Sequence, residues 1–366
     1  MSTSESDLRA PFSQDVMKHV VDAHCHPTSA TDEEMQKIHS KMFVMSMHDQ
    51  DQREVKELAT KYPKKVVPFF GFHPWFTHFI SLKKPCSKEE HYNSLFLPDS
   101  PTSQQQEEFD ALYAALPEPI FLDDIIPSLR ALLESHPTAH VGEVGLDKIF
   151  RVSHDYYVSP RTMTTFNIPM DHQIAVLSAQ LDLAVELGRN VSMHSVRAQL
   201  QTVELLKWHA AKHKERWNRI SIQMHSCGLS PQMWKDLERK MCNVFLSVSV
   251  LVNKRSSSYQ ELIKGCSDNR ILSESDMNQA DQCVALTCEM IRTVGEIKQW
   301  EVENDWVGDD EVEEPRWGVV RRLERNAQLF LAGNHMPKGT TQVRYRGPIN
   351  FDDQDSDAAF TDDGAP

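Results

Sequence analysis

The chain has 366 residues, 40% of them hydrophobic and 25% charged, and its 39 Lys and Arg against 53 Asp and Glu give a net charge of −14. This composition is typical of a globular protein, and the length allows two ordinary domains or one large α/β barrel. The sequence has no apolar run of about 18 residues or more and no basic-then-apolar N-terminal segment, so we expect neither a membrane-spanning helix nor a secretory signal. Seven cysteines without a Cys-x-x-Cys pair favour a reduced intracellular protein of the cytoplasm or nucleus.

Short apolar or β-branched runs recur along the chain, separated by amphipathic stretches. Their nearly continuous apolar character is typical of strands that are buried on both faces, as in parallel sheets. The eight predicted strands span residues 19–26, 43–47, 66–74, 140–147, 190–195, 219–226, 243–250 and 271–276.

Helical patterns lie between these strands, for example at 119–135, 171–187, 196–213, 230–241 and 317–332, and Gly188 closes the second of them. Eight strands that alternate with helices predict an α/β fold, a (β/α)8 TIM barrel. A doubly wound sheet is the alternative fold.

Other segments depart from this alternation. Residues 81–118 are polar and rich in Pro, Ser and Gln, which predicts an insertion after the third strand, a surface excursion or lid. We expect one barrel domain at 18–335 with an acidic loop at 301–315, between a flexible N-terminal tail at 1–17 and a disordered acidic C-terminal tail at 336–366.

The negative charge is unevenly distributed. Residues 301–315 hold eight acidic residues and residues 352–366 hold six, and neither segment contains Lys or Arg. Because these two segments account for the whole net charge, the remainder of the chain is formally neutral. The acidic composition therefore does not exclude a substrate that carries phosphate.

Histidines and acidic residues lie at the ends of the predicted strands, which meet at one face of a barrel. His24 and His26 are two residues apart on one strand, so both side chains point to the same side and Cys25 points away. A single strand histidine is usually structural, but a whole set from five strands favours a site for two divalent ions. The candidate ligands are His24, His26, Glu143, His194, His225 and Asp276.

The motifs DAHCHP, GFHPW, VGEVGLD, MHS, MHSCG and ILSESD, in this order, resemble those of the TatD family of metal-dependent deoxyribonucleases in the amidohydrolase superfamily. The resemblance covers about residues 19–333. The insertion and the acidic loop are similar to additions in fungal members described as interactors of an anaphase-promoting-complex subunit.

The resemblance implies a (β/α)8 barrel and two divalent ions, Mg²⁺, Mn²⁺ or Zn²⁺. His24, His26, Glu143 and Asp276 would hold one ion, and Glu143, His194 and His225 the other. Glu143 would bridge the ions, and Asp276 would act as general base on the attacking water.

The chain departs from the family pattern at substrate contacts. Trp75 replaces a histidine, Val196 replaces an arginine with Arg197 one position later, and residues 277–279 replace a Pro-containing turn. His73, at the rim on the third strand, is our candidate for holding a phosphate oxygen, and Arg197 is a second candidate. Trp75 and Phe76 either stack on a terminal base or pack beneath their loop.

The resulting hypothesis is a metal-dependent hydrolase that cleaves phosphodiester bonds at DNA ends or in a small phosphodiester, with no membrane partner. DNA ends are the favoured substrate because the sequence shows no basic patch that would bind the phosphates of a long duplex. One alternative is a metal-dependent amidohydrolase or esterase that acts on a small substrate. Another is a barrel that serves mainly to bind a protein partner through the insertion or the acidic segments.

Overall fold

An eight-stranded parallel sheet forms the centre of the protein, whose computed structural model describes residues 12–155, 160–308 and 313–335. Neighbouring strands pair in chain order. The strands are β1 (Val21–Cys25), β2 (Lys41–Met45), β3 (Val66–Phe70), β4 (His140–Asp147), β5 (Val191–Val196), β6 (Ile222–Met224), β7 (Val244–Ser249) and β8 (Ile271–Glu274).

The last strand returns to the first. The backbone N–H of Asp276 donates to the carbonyl of His24 at 3.0 Å, and that of His26 donates to the carbonyl of Met277 at 2.7 Å. The sheet therefore curls into a nearly closed barrel, which confirms the predicted fold class. The doubly wound alternative is wrong, because such a sheet has two open edges and a reversed strand order.

Helices connect the strands. The helices are α1 (Gln14–Met17), α2 (Asp32–Lys37), α3 (Asp49–Lys61), α4 (Lys88–Phe96), α5 (Ser103–Ala115), α6 (Leu122–Ser135), α7 (Met170–Leu187), α8 (Gln199–His213), α9 (Pro231–Lys240), α10 (Val250–Asn253), α11 (Tyr259–Gly265), α12 (Ala280–Lys298) and α13 (Val319–Ala332). Helix α7 ends at Gly188, as predicted, because this residue adopts a left-handed conformation with φ 65°.

The barrel interior is filled by aromatic side chains. Phe43 of β2, Phe69 of β3 and Phe245 of β7 all lie within 6.4 Å of the Phe330 ring, measured between ring centroids. Strand β7 lies apart from the neighbouring strands β2 and β3, so the rings meet inside the barrel, and Phe330 of α13 closes this end. The site described below lies at the other end.

Several strands are shorter than predicted because their histidine-bearing ends leave the sheet. Strand β6 ends at Met224 rather than at 226, and β8 ends at Glu274 rather than at 276. Ser226 and Asp276 have φ values of 39° and 58°, which are incompatible with a continued strand. These turns direct the polar side chains to the mouth of the barrel.

The segment 81–118 is more compact than a polar excursion. It contains α4 and α5, whose Tyr92, Phe96, Phe109 and Leu112 form a buried cluster with Phe166. The segment thus has a small apolar core of its own, packed on the segment between β4 and α7.

The predicted tails and acidic loop have mixed outcomes. Of residues 1–17, positions 14–17 form α1, and its Val16 is fully buried in the main core. The prediction of a flexible tail is therefore wrong for the residues of α1, because the buried Val16 side chain holds this helix against the core. Residues 1–11 and 336–366 lie outside the described residues.

The acidic loop 301–315 is attached to the barrel in its described part, which leaves out 309–312. The Glu303 carboxylate accepts hydrogen bonds from the backbone N–H groups of Val320 and Arg321 at 3.0 and 3.1 Å, in the first turn of α13. A carboxylate at a helix N-terminus stabilises the helix. No helix among the described residues is both long and apolar enough to cross a membrane.

Candidate metal centre

Glu143 of β4 lies at the centre of a group of histidines from different strands. Its side chain is only 3% exposed, and its Oε2 atom is 3.3 Å from the Nε2 atoms of His24 and His26. Its Oε1 atom is 2.9 Å from His194 Nδ1 and 3.7 Å from His225 Nε2. The two carboxylate oxygens therefore face two different sets of imidazoles.

Asp276 approaches the same histidines from the rim of the barrel. Its Oδ1 atom is 4.0 Å from His24 Nε2, 3.9 Å from His26 Nε2 and 3.6 Å from His225 Nε2. Its side chain is 24% exposed, whereas that of His24 is fully buried. The structure thus brings all the candidate ligands named from the sequence to one place, and Asp276 is the most accessible of them.

A close approach of β4 to β5 places Glu143 beside His194. Gly145 pairs with His194 across these strands and has φ 155°. A Cβ atom at this position would overlap the carbonyl of His194. Only glycine allows this spacing, which explains its place two residues after Glu143.

Buried side chains orient two of the histidines. Glu274 is fully buried, and its Oε1 atom is 2.9 Å from His225 Nδ1. Ser192 Oγ is 2.8 Å from His24 Nδ1. Because one ring nitrogen of each histidine is engaged by these neighbours, Nε2 is the atom left to face the centre.

His194 has a carboxylate on both ring nitrogens. Its Nε2 atom is 3.3 Å from Asp147 Oδ2, and the same oxygen accepts a hydrogen bond from Trp75 Nε1 at 2.7 Å. Neither Asp147 nor Glu274 was among the site residues predicted from the sequence. The sequence feature that could have identified them is a second acidic residue within the same motif. Asp147 follows Glu143 by four residues, and Glu274 precedes Asp276 by two.

The electrostatics follow from this mixture of acids and imidazoles. Burial alone would raise the pKa of Glu143, but His73, His24 and the other histidines hold it well below its usual value. Burial opposes protonation of His225, yet Glu274, Asp276 and Glu143 raise its pKa to about 10. Burial likewise opposes protonation of His194, whose pKa Asp147 and Glu143 raise to about 9. At neutral pH the ion-free cluster therefore carries protons where cations could bind.

His73 lies at the floor of the cleft, not at the rim as predicted from the sequence. Its side chain is 2% exposed, its Nε2 atom is 3.3 Å from Glu143 Oε1, and its Nδ1 accepts a hydrogen bond from the Trp75 backbone N–H at 3.2 Å. Burial lowers its pKa to about 4. His73, Glu143 and His194 form a set whose ligand atoms lie within 4.8 Å of one another. Because Nδ1 accepts the hydrogen bond from Trp75, the neutral ring carries its proton on Nε2, so His73 faces Glu143 as a hydrogen-bond donor and not as a metal ligand.

A cleft of about 450 Å³ opens above these residues. The described residues that line it are His26, Met47, His73, Trp75, Glu143, His194, His225, Val252, Asp276 and Asn278. Arg197 is exposed, has a φ of 51° just beyond the end of β5, and is not among them. Of the two predicted substrate-binding residues, only His73 reaches the cleft.

The two aromatic residues after His73 behave differently. Trp75 lines the cleft, and its ring stacks on Phe150 with ring centroids 4.9 Å apart. Phe76 is 3% exposed and packs against His48, so it is not available for a base. The packing alternative is correct for Phe76, and only Trp75 can contact a ligand.

Comparison with known proteins relates the chain to one family. The profile of the TatD-related DNase family matches residues 21–306. The Cut9-interacting protein scn1 of Schizosaccharomyces pombe is 29% identical over 362 residues, which covers 86% of this chain and 99% of that protein. A protein of Saccharomyces cerevisiae described as an uncharacterized deoxyribonuclease is 26% identical over 279 residues, covering 71% of this chain and 84% of the relative.

Solved structures agree on the fold. The TatD homologue YjjV of Escherichia coli superimposes with a TM-score of 0.55 at 18% identity, covering 86% of this chain and 98% of that one. A TatD-family hydrolase of Entamoeba histolytica gives a TM-score of 0.52 at 11% identity, covering 90% and 100%. At these identities the likeness concerns the fold alone.

Proposed function

The chain belongs to the TatD-related DNase family of metal-dependent hydrolases, and on that premise we propose that it hydrolyses phosphodiester bonds at DNA ends with two divalent ions. One observation carries the proposal. The two oxygens of the buried Glu143 carboxylate face separate groups of imidazoles, which is the arrangement that a bridging ligand needs.

The donor set suits divalent ions. His24, His26 and Asp276 would hold one ion with Glu143 Oε2, and His194 and His225 would hold the other with Glu143 Oε1. Imidazole and carboxylate donors accept Zn²⁺ and Mn²⁺, and a carboxylate-rich site also accepts Mg²⁺. The protonated state of His194 and His225 fits this assignment, because it marks positions where positive charge is stabilised. Divalent ions, when bound, supply Lewis acidity, stabilise charge on phosphoryl oxygens and make water a nucleophile at neutral pH.

The side chains of this protein would orient the reaction. Asp276 is partly exposed, so it can meet the attacking water and accept its proton as general base. Glu274 fixes the His225 ring through Nδ1. His73 lies on the floor of the cleft, where its Nε2–H can donate a hydrogen bond to a phosphoryl oxygen.

The shape and charge of the cleft favour a short substrate. Its volume of about 450 Å³ is that of a small-molecule site. Among the described residues that line it there is no Lys or Arg, so binding cannot rest on many phosphate contacts along a duplex. Trp75 and Val252 provide apolar surface for a terminal base. A strand end or a small phosphodiester fits these features better than the middle of a duplex.

The test uses metal-depleted protein reloaded with Mg²⁺, Mn²⁺ or Zn²⁺. A 3′-labelled oligonucleotide, a circular single strand and a panel of N-acyl compounds report on ends, internal bonds and carbon centres. We expect cleavage of the linear strand from its end, abolished in Asp276→Asn. Asp281→Asn removes an exposed acid five residues later and serves as the matched control. Absence of DNA cleavage with every ion, or unchanged cleavage in Asp276→Asn, would sink the proposal.

We also propose a second function, the binding of a protein partner. The similarity to a protein named for its interaction with Cut9 extends over 99% of that relative. Helix α5 in the insertion exposes Gln104, Glu107 and Asp110. Substituting Glu107 and Asp110 by lysine tests this surface without removing the buried cluster beneath it. Loss of a copurifying partner with unchanged hydrolysis supports docking here, and unchanged copurification contradicts it.

A further inference from the structure

A second group of metal-ligating side chains lies between α7 and α8, on the outside of the barrel. Asp182 belongs to α7, and His209 and His213 belong to the last turns of α8. Because α8 runs back from the end of β5 toward the start of β6, its C-terminal end lies near the N-terminal ends of the strands. The group is therefore remote from Glu143 and takes no part in the proposed hydrolysis.

The spacing of the three side chains suits one ion. His209 and His213 are four residues apart on a helix, so they lie on the same face. Asp182 Oδ1 is 3.4 Å from His209 Nδ1 and 2.7 Å from His213 Nε2. One ligand atom from each residue lies within 4.8 Å of the other two. Two ligands at about 2.0 Å from a tetrahedral ion lie roughly 3.3 Å apart, so small side-chain rotations suffice.

The state of His209 provides an independent observation. Its side chain is fully buried, and within the described part of the chain neither ring nitrogen makes a hydrogen bond of acceptable geometry. Buried polar atoms are nearly always satisfied, and an exception calls for a missing partner. A cation between His209 Nδ1 and Asp182 Oδ1 would be such a partner.

The neighbouring charges are compatible with a cation. Lys212 Nζ donates to Asp182 Oδ2 at 2.6 Å, which leaves Oδ1 facing the histidines. A hydrogen bond to the second oxygen of a ligating carboxylate is common in metal sites, because it orients the ligand. The Lys212 and Asp182 side chains are 39% and 37% exposed, so water can screen the lysine and fill the remaining coordination position.

We infer that Asp182, His209 and His213 form a zinc site that ties α7 to α8. Two imidazole nitrogens and one carboxylate oxygen are donors that zinc prefers, whereas Mg²⁺ and Ca²⁺ favour sites built from oxygen alone. The ion would replace the direct contact between His213 and Asp182 and would give the buried Nδ1 atom of His209 a partner.

Zinc titration of the metal-depleted full chain by calorimetry tests the inference. We expect the wild-type protein to bind one zinc equivalent more than His213→Gln and one more than Asp182→Asn, since all three retain the barrel site. His136→Gln removes a histidine from the end of α6 and should bind as wild type does. Lys212→Met removes the nearby positive charge without removing a ligand, so it should keep the extra equivalent and bind it at least as tightly.

Two further readouts separate this site from the barrel. Zinc should raise the unfolding temperature of the wild type more than that of His213→Gln, and DNA cleavage with Mn²⁺ should be equal in both. Equal zinc stoichiometry in wild type, His213→Gln and Asp182→Asn overturns the inference and leaves an ordinary ion-pair network. Loss of the equivalent in Lys212→Met overturns it as well.

Discussion

Substitution of Glu274 by glutamine is the sharpest test of how the barrel site is built. The Glu274 carboxylate accepts hydrogen bonds from Ser226 N–H at 2.7 Å and from Gln223 Nε2 at 3.0 Å, and pairs with His225 Nδ1 at 2.9 Å. His225, through its charge and its contact with the carboxylate, together with His24 and the Ser247 hydroxyl, lowers the pKa of Glu274 to about 2, against the effect of burial. Glutamine has nearly the same shape but lacks the charge. Its amide N–H₂ group would also face a hydrogen-bond donor where Glu274 has an accepting oxygen.

The magnitude follows from the role of Glu274 beside a candidate ligand. A hydrogen bond to a charged group is worth about 1.5–3 kcal/mol, and loss of an outer partner of a ligating histidine typically costs about 10–100-fold in metal affinity or activity. We therefore expect Glu274→Gln to weaken binding of the ion held by His225 by about that factor. Excess metal should restore most of the activity, because no group that touches substrate has changed.

The assay is a metal titration of DNA cleavage and of binding, with Glu289→Gln as the control. Glu289 is also ion-paired, but to Lys254 at the surface with 28% of its side chain exposed, so its loss should change neither value beyond about twofold. Unchanged metal affinity in Glu274→Gln would refute the orienting role. Activity lost at every metal concentration in a folded variant would instead place Glu274 in the chemistry.

Three other predictions follow from the geometry. Gly145→Ala should lower the free energy of unfolding by several kcal/mol in urea titration, because its Cβ meets the neighbouring strand, whereas Gly188→Ala, with open space around it, should cost only about 1–2 kcal/mol. Trp75→Phe removes the indole donor to a buried carboxylate and should reduce kcat/KM by about tenfold. His194 and His225 have pKa values raised to about 9 and 10, so their ion pairs stabilise the metal-free protein fully below about pH 6.5 and are lost as the pH rises through 9–10. Metal binding should release these protons, so the metal affinity measured by calorimetry should rise as the pH increases toward 9–10. A pH-independent metal affinity contradicts the assignment.

The barrel and the candidate ligands could be predicted because both depend on local pattern. Strands buried on both faces give apolar runs, and β4 was placed at its observed bounds from sequence. His24 and His26 follow from the two-residue period of a strand. The convergence of strand ends then brings distant residues such as Glu143 and Asp276 together without further information.

Other features depend on contacts that no local pattern records. The depth of His73 is set by the turn after β3 and by Trp75, and its sequence context alone suggests a rim position. The insertion looked polar because its apolar residues, such as Tyr92 and Phe109, are few and widely spaced, although they meet in one cluster. Glu274 and Asp147 were overlooked because only the three-dimensional arrangement shows which carboxylate faces the centre and which lies behind a histidine.

Anomalous diffraction from crystals loaded with Mn²⁺ tests the central claim most directly. The account predicts two peaks about 3.5–4 Å apart, one on each side of the Glu143 carboxylate. The first peak should contact His24, His26 and Asp276, and the second His194 and His225. A single peak, or none beside Glu143, would contradict a two-ion centre.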